Sequence, residues 1–284
     1  MSVTIAESNA DQAQAWDGEE GAYWAAHHEL FEACLDRYEP AFLAATAFTP
    51  DDHVLDVGCG TGVTSRAAGL AAPRGEVLGV DLSAEMIGVA QRLAAQQGLS
   101  NVSFLQADAQ VYPFAAESFD VVLSRTGAMF FGDPHEAFGN LCRSLKRGGR
   151  LALLTWRTVH EQEWLQDFAE ALTGAPLPAP PPGAPGPFSL SDPEHVSALL
   201  DGAGFTDVRL SPVTEAMTYG RTVDEAHDLV LGLLGWMLRD QTPEQAAARA
   251  SALRTTMEAH HTDDGVRFDS AAWLVTAVRP QANP

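Results

Sequence analysis

The sequence predicts an α/β fold built on a doubly wound, mostly parallel sheet. Two observations carry this. Short, continuous apolar runs alternate with segments of helical periodicity, the pattern of strands covered on both faces. The first of those runs also leads straight into a glycine-rich turn that opens a helix. The 284 residues are 46% apolar and 19% charged, enough for a sizeable core in one large domain or two small ones.

The first fifty residues read as helix, with Tyr23/Trp24, His27, Leu30/Phe31, Cys34/Leu35 and Tyr38 at three- to four-residue steps and Pro40 as an interruption. Strands are predicted at 53–57, 76–80, 102–106, 119–124 and 150–156. Helices are predicted at 63–72 and 84–97, and a third at 135–146 that ends at Gly148-Gly149. Residues 174–187 hold seven of the 17 prolines and read as a surface linker. A helix capped by Ser191 runs to about Gly202, followed by a strand at FTDVRLSPV. Two helical stretches at about 222–239 and 243–260 precede the last strand, 271–278.

Composition narrows the function. With 17 Lys+Arg against 38 Asp+Glu the formal charge is −21, and Lys146 is the single lysine, so neither nucleic acid nor an anionic membrane surface is an expected partner. Cys34, Cys59 and Cys142 are far apart and lack Cys/His ligand spacing, which argues against a disulfide scaffold or a structural zinc site; no metal is expected. The N-terminus has no basic patch followed by an apolar stretch, and the apolar run Leu229 to Leu238 is half the length of a membrane span, so the expected location is the cytoplasm.

The chemistry concentrates in Val54-Leu55-Asp56-Val57-Gly58-Cys59-Gly60-Thr61-Gly62, where glycines let backbone approach a ligand closely. A nicotinamide dinucleotide fingerprint wants its third glycine at Val63; the spacing here is GxGxG. Asp81, 23 residues after Gly58 at the end of the second strand, suits a carboxylate that accepts hydrogen bonds from both hydroxyls of a ribose. The ligand is therefore expected to be nucleoside-like and without a pyrophosphate.

VLDVGCGTG, GVDLSAEM, QADAQVYPFAAESFDVVLS and LKRGGRLALLTW, in this order, resemble the motifs of class I S-adenosylmethionine-dependent methyltransferases over residues 50–156. The variant with ADA, PF, SFD and LKRGG is similar to the ubiquinone/menaquinone-biosynthesis type of small-molecule enzyme. Trp16-Asp17-Gly18 and Trp24 resemble the start of actinobacterial natural-product and uncharacterised members. The resemblance implies a Rossmann-like seven-stranded sheet with an antiparallel last strand. An N-terminal helical cap is expected at 1–48 and a domain at 49–284, carrying a proline-rich insertion at about 157–190; where the family's last two strands form a hairpin, this sequence departs by inserting a helical lid at 218–266.

Carried over by position, Asp56 would organise the loop, and Gly58, Cys59 and Gly60 would border the methionyl part of S-adenosylmethionine. Asp81 would take the ribose with Leu82 beside it, Met86 would pack on the adenine face, and Asp108 with the Ala109 amide would bind the adenine edge. Ser124 and Arg125 would lie beneath the sulfonium. Trp24 is the aromatic expected at the cofactor mouth, with lid core as its other reading. His28 and His160 are the candidate bases.

The fourth strand is followed by Ser-Arg-Thr-Gly, without the Asn/Asp-Pro-Pro-Tyr/Phe of base and amide methylation, and paired cysteines for arsenic are absent. A small acceptor remains, apolar or aromatic given DLVLGLLGWML in the insertion, which serves either as lid or as a dimerisation helix. The expectation is methyl transfer to an O, N or C atom. A cofactor-binding scaffold without activity and a nicotinamide-dependent oxidoreductase are the rival readings.

Overall fold

The five apolar runs, buried in the sheet centre and half-exposed in the edge strand β3, form a parallel array in the computed structural model: β1 (Val54–Val57), β2 (Val77–Asp81), β3 (Val102–Gln106), β4 (Phe119–Arg125) and β5 (Leu145–Trp156). Completing the sheet are β6 (Thr206–Gly220), a two-residue β7 (His261–Thr262) and β8 (Gly265–Val278). The order is β3-β2-β1-β4-β5-β8-β6, with β8 antiparallel to both β5 and β6, and β7 pairs with β8. The structure describes residues 3–181 and 183–281; Pro182 of the proline-rich stretch and the ends of the two expected domains, 1–2 and 282–284, lie outside them.

Helices cover both faces: α1 (Ala10–Trp16), α2 (Glu19–Ala26), α3 (His28–Cys34), α4 (Glu39–Thr46), α5 (Val63–Ala71), α6 (Ala84–Gln96), α7 (Pro134–Ser144), α8 (Glu163–Thr173), α9 (Pro193–Gly202), α10 (Val223–Leu234) and α11 (Pro243–Ala259). Among the described residues no helix is long and apolar enough to cross a membrane.

Several expectations are corrected. Pro40 does not interrupt the N-terminal pattern. It sits in the first turn of α4, where a missing N–H is harmless, and the breaks fall at Asp17-Gly18, His27 and Leu35. Gly148-Gly149 do not stop α7, which ends at Ser144; they lie inside β5, which begins five residues earlier than its apolar run because Leu145 already pairs with Phe119 and the two glycines hydrogen-bond with Arg279. The amphipathic α8, with Trp164, Leu165, Phe168 and Leu172 buried on one side, is not among the expected helices. The cap of α9 is Asp192, whose carboxylate accepts the Glu194 and His195 amides; Ser191 is one residue too early. β6 and β8 pair out to Gly220 and Val266, so the inserted segment starts later than 218; among the described residues the sheet path has the seven expected strands, with the two-residue β7 added beside β8.

The insertion folds back on the domain. α10 buries Ala226, Leu229, Val230 and Leu234, and the Tyr23 hydroxyl of α2 donates to the Leu229 carbonyl at 3.1 Å. A Cβ at Gly232 would fall 2.0 Å from that hydroxyl, so α2 rests on bare backbone of α10. Trp236, just beyond, is left 55% exposed.

Candidate functional site

The carboxyl ends of β1, β2, β3 and β4 converge where strand order reverses between β1 and β4, the place at which open parallel sheets bind ligands. After β1 the chain turns through Gly58, Gly60 and Gly62, all with positive φ (64°, 54° and 80°). A Cβ on Gly58 would lie 2.9 Å from the Gly127 Cα, so the loops after β1 and β4 touch backbone to backbone. A Cβ on Gly60 would meet only the Met86 sulfur, at 3.8 Å, and leaves a cradle open above the turn.

Carboxylates shape this cradle. Asp56 is fully buried; its Oδ2 accepts the Thr64 and Ser65 hydroxyls at 2.6 Å each and so holds the first turn of α5, while Oδ1 has no partner. Burial pushes its pKa up to about 6, against the pull of those two hydroxyls. Asp81 accepts the Gly60 amide on Oδ2 at 2.8 Å and the Ser83 amide on Oδ1 at 2.9 Å. Burial raises its pKa too, with the amides opposing. Since a carboxylate offers about four lone-pair directions, two remain at Asp81 for a diol. Leu82, half-buried beside it, gives its carbonyl to Gln106.

Asp108 is more heavily engaged. Its Oδ1 accepts from Asn9 Nδ2 at 3.0 Å and Gln110 N at 2.9 Å, and its Oδ2 from Ala6 N at 3.0 Å. Asn9 also receives the Gly132 amide, and Ser8 receives Gln110, so residues 6–9 form a strap across the Asp108 end of the site. Ala109 is buried and gives its carbonyl to Asn140. Cys59 is a buried loop residue whose amide donates to Val80; burial holds its thiol well above the ordinary range, with Asp81 and Asp56 adding to the effect, so no thiolate forms near neutrality.

At the end of β4 the two expected residues part company. The Ser124 hydroxyl donates to the Val57 carbonyl at 2.6 Å and accepts the Ala128 amide at 2.9 Å, so it is consumed in tying β4 to β1. Arg125 keeps Nη1 buried without a partner, and its pKa is lowered by burial, against Glu39, Asp56 and Glu32.

Trp24 stacks on Phe31 at 3.7 Å and meets Trp16 edge-on, and Trp16 in turn meets Phe130, so an aromatic row crosses from α3 to the loop after β4. Asp17 fastens this cover by accepting from the Ala84 amide and Gln106. His28 has its Nδ1 buried, unpartnered and 3.9 Å from Glu32 Oε1. His160 is exposed in the turn after β5.

Sequence reasoning missed Glu32, Thr61, Arg66 and Asn9. Glu32 accepts the Thr61 hydroxyl at 2.8 Å, and buried Arg66 donates to the Thr61 carbonyl at 2.6 Å while lying 3.5 Å from Glu32. These contacts join α3 to the glycine turn, and no local spacing announces them.

Residues 48–176 match a family described as a methyltransferase domain. The chain is 31% identical over 188 residues to an arsenite methyltransferase of Halobacterium salinarum, covering 66% of this chain and 45% of that one. It is 41% identical over 102 residues to a demethylmenaquinone methyltransferase of Thermus thermophilus, covering 36% and 46%. It spans about half or less of the length of the curated relatives it matches. A Haemonchus contortus phosphoethanolamine N-methyltransferase 2, solved in complex with S-adenosyl-L-methionine, shares the fold with a TM-score of 0.60 at 20% identity, over 98% of this chain and 61% of that one.

Proposed function

We propose that the protein moves the methyl group of S-adenosylmethionine to an O, N or C atom of a small apolar or aromatic metabolite by in-line displacement; the match of residues 48–176 to a methyltransferase domain and the shared fold support this. The observation that carries this reading is the open glycine cradle together with Asp56 Oδ1, buried and unpaired on the strand that runs into it. Buried polar groups are nearly always satisfied, so an orphaned carboxylate oxygen on that strand suits a polar ligand at the turn.

The residues fit the cofactor. Asp81 has lone pairs left for ribose hydroxyls, Met86 faces the turn as a soft adenine contact, and Gly58 and Gly60 admit the methionyl chain. When bound, the cofactor supplies a methyl already activated on a sulfonium. What the chain adds is position and dryness: the aromatic row from Phe31 to Phe130 excludes water, while the helices before β1 and the α10 and α11 pair cover the acceptor side. Where the acceptor is an acid, His28 takes the proton and Glu32, anchored by Thr61, faces the resulting imidazolium. His160, exposed to solvent, is given no such role.

The strap over Asp108 occupies three of its four lone-pair directions and leaves one for an adenine amino group. Calorimetry with S-adenosylhomocysteine tests the cofactor site. Binding in the micromolar range, weakened in Asp81→Ala, supports it, and no heat at several hundred micromolar, a range of about −5 kcal/mol, ends the reading. Tight binding with no methyl transfer across a broad panel of acceptors would favour the cofactor-binding scaffold instead.

A further inference from the structure

Away from the cradle, a second group of polar side chains converges where the insertion meets the domain. Glu163 and Asp167, one turn apart on α8, face His260 at the end of α11; His260 Nε2 lies 3.6 Å from Glu163 Oε1 and 3.6 Å from Asp167 Oδ2. The three donor atoms all lie within 4.8 Å of one another.

The imidazole is held in one orientation. Its Nδ1 is 3.0 Å from the Thr256 carbonyl, which can only accept, so Nδ1 carries the hydrogen and the neutral ring turns a lone pair from Nε2 toward the two carboxylates. Phe268 stacks on the ring at 4.0 Å and 23°, and Glu163 is fixed through its second oxygen, which accepts the Asp269 amide at 2.6 Å. A ring nitrogen donating to a backbone carbonyl while its partner nitrogen faces out is how metal-bound histidines are oriented. A lone pair set against two anions needs a positive centre between them.

We propose that Glu163, Asp167 and His260 bind a divalent cation, with zinc the best match, and that the bound ion fastens the inserted helical pair to α8. Zinc binds imidazole nitrogen and carboxylate oxygen at about 2.0–2.2 Å, which places tetrahedral donors roughly 3.3–3.5 Å apart. The observed 3.6 Å separations need a closure of a few tenths of an ångström. One nitrogen and two oxygens suit a borderline cation better than calcium or magnesium, and water completes the shell on the exposed side. The Cys/His spacing sought in the sequence has no bearing on this site, because its donors come from α8 and from the far end of the insertion.

The rival state is an imidazolium that bridges the two carboxylates with no metal. The test titrates Zn²⁺ alone into chelator-treated full-length protein, by calorimetry and by thermal melting, with His260→Gln and Asp167→Asn in parallel. The expected result is one zinc per chain with a raised melting temperature, at least tenfold weaker binding in both variants, and S-adenosylhomocysteine affinity unchanged. Two variants of different chemistry guard against one that does not fold. Zinc taken up equally by wild type and both variants would mean that other side chains bind it, and overturns the proposal. So does the absence of binding at about 100 µM, where even a weak site of Kd about 10 µM would be some nine-tenths full. Neither outcome touches the methyltransferase reading.

Discussion

Replacing Asp81 by Asn keeps the shape of the side chain and removes what the site is argued to use. The carboxylate now accepts the Gly60 and Ser83 amides, one on each oxygen. A carboxamide has a single acceptor oxygen, so whichever amide it keeps, its NH₂ is set against the other, donor to donor. One hydrogen bond to a charged acceptor is lost, about 1.5–3 kcal/mol. Burial already disfavours the ionised form of Asp81, so removing the charge recovers part of that in the empty fold, and stability should change by only about 1 kcal/mol. Ligand binding has no such offset. A diol that bonds both oxygens loses one charged acceptor, and S-adenosylhomocysteine affinity should fall roughly 10- to 150-fold. Calorimetry beside urea unfolding of the same samples separates the two effects. An affinity within about threefold of wild type, in a variant of unchanged stability, would refute the assignment of Asp81 to the ribose.

Three other outcomes are expected. Gly127→Ala places a Cβ 2.9 Å from the Gly58 Cα and 3.0 Å from the Val57 carbonyl, both main chain; urea unfolding should show a loss of roughly 1–3 kcal/mol, and an unchanged midpoint would mean the two loops can part freely. Asp56 titrates at about 6 in the fold, raised by burial, against about 3.9 in the unfolded chain, so the native state keeps a proton that the unfolded state gives up as pH rises. Its contribution is intact below pH 4 and is lost as pH passes 6, about 3 kcal/mol in all, and urea unfolding of Asp56→Asn should lack this slope; parallel wild-type and variant profiles would count against it. Asn9→Ala removes the bonds to Asp108 and from Gly132, and stopped-flow release of S-adenosylhomocysteine should quicken roughly 5- to 30-fold, whereas an unaltered rate would show that the strap does not hold the ligand in.

The glycine turn and Asp81 were legible because both belong to strand-to-helix junctions, where local backbone demands select residue types. A strand running into GxGxG announces its own geometry, and the parallel register of β1 and β2 then brings the next acid to the same edge. The ends of helices were less legible. Asp192 and Ser191 are equally good caps by type, and only the path of the chain chose between them. Gly148-Gly149 reads as a helix stop, yet backbone hydrogen bonds with Arg279, just beyond β8, claimed it.

The residues that close the site belong to another kind of information. Nothing near Asn9 specifies Asp108, nothing near Glu32 specifies Thr61, and nothing near Glu163 specifies His260. Each pair joins elements whose approach is decided by how their apolar faces pack, Trp24 on Phe31 in the cap and Phe268 beneath the His260 ring at the insertion. By itself the order of strands, turns and acids along the chain determined an α/β sheet with a glycine cradle at its switch point, since those features arise from short-range backbone constraints. Which side chains cover that cradle, satisfy its carboxylates and tie the insertion down was left to tertiary packing, because hydrophobic burial acts through area and shape and carries no address in the sequence.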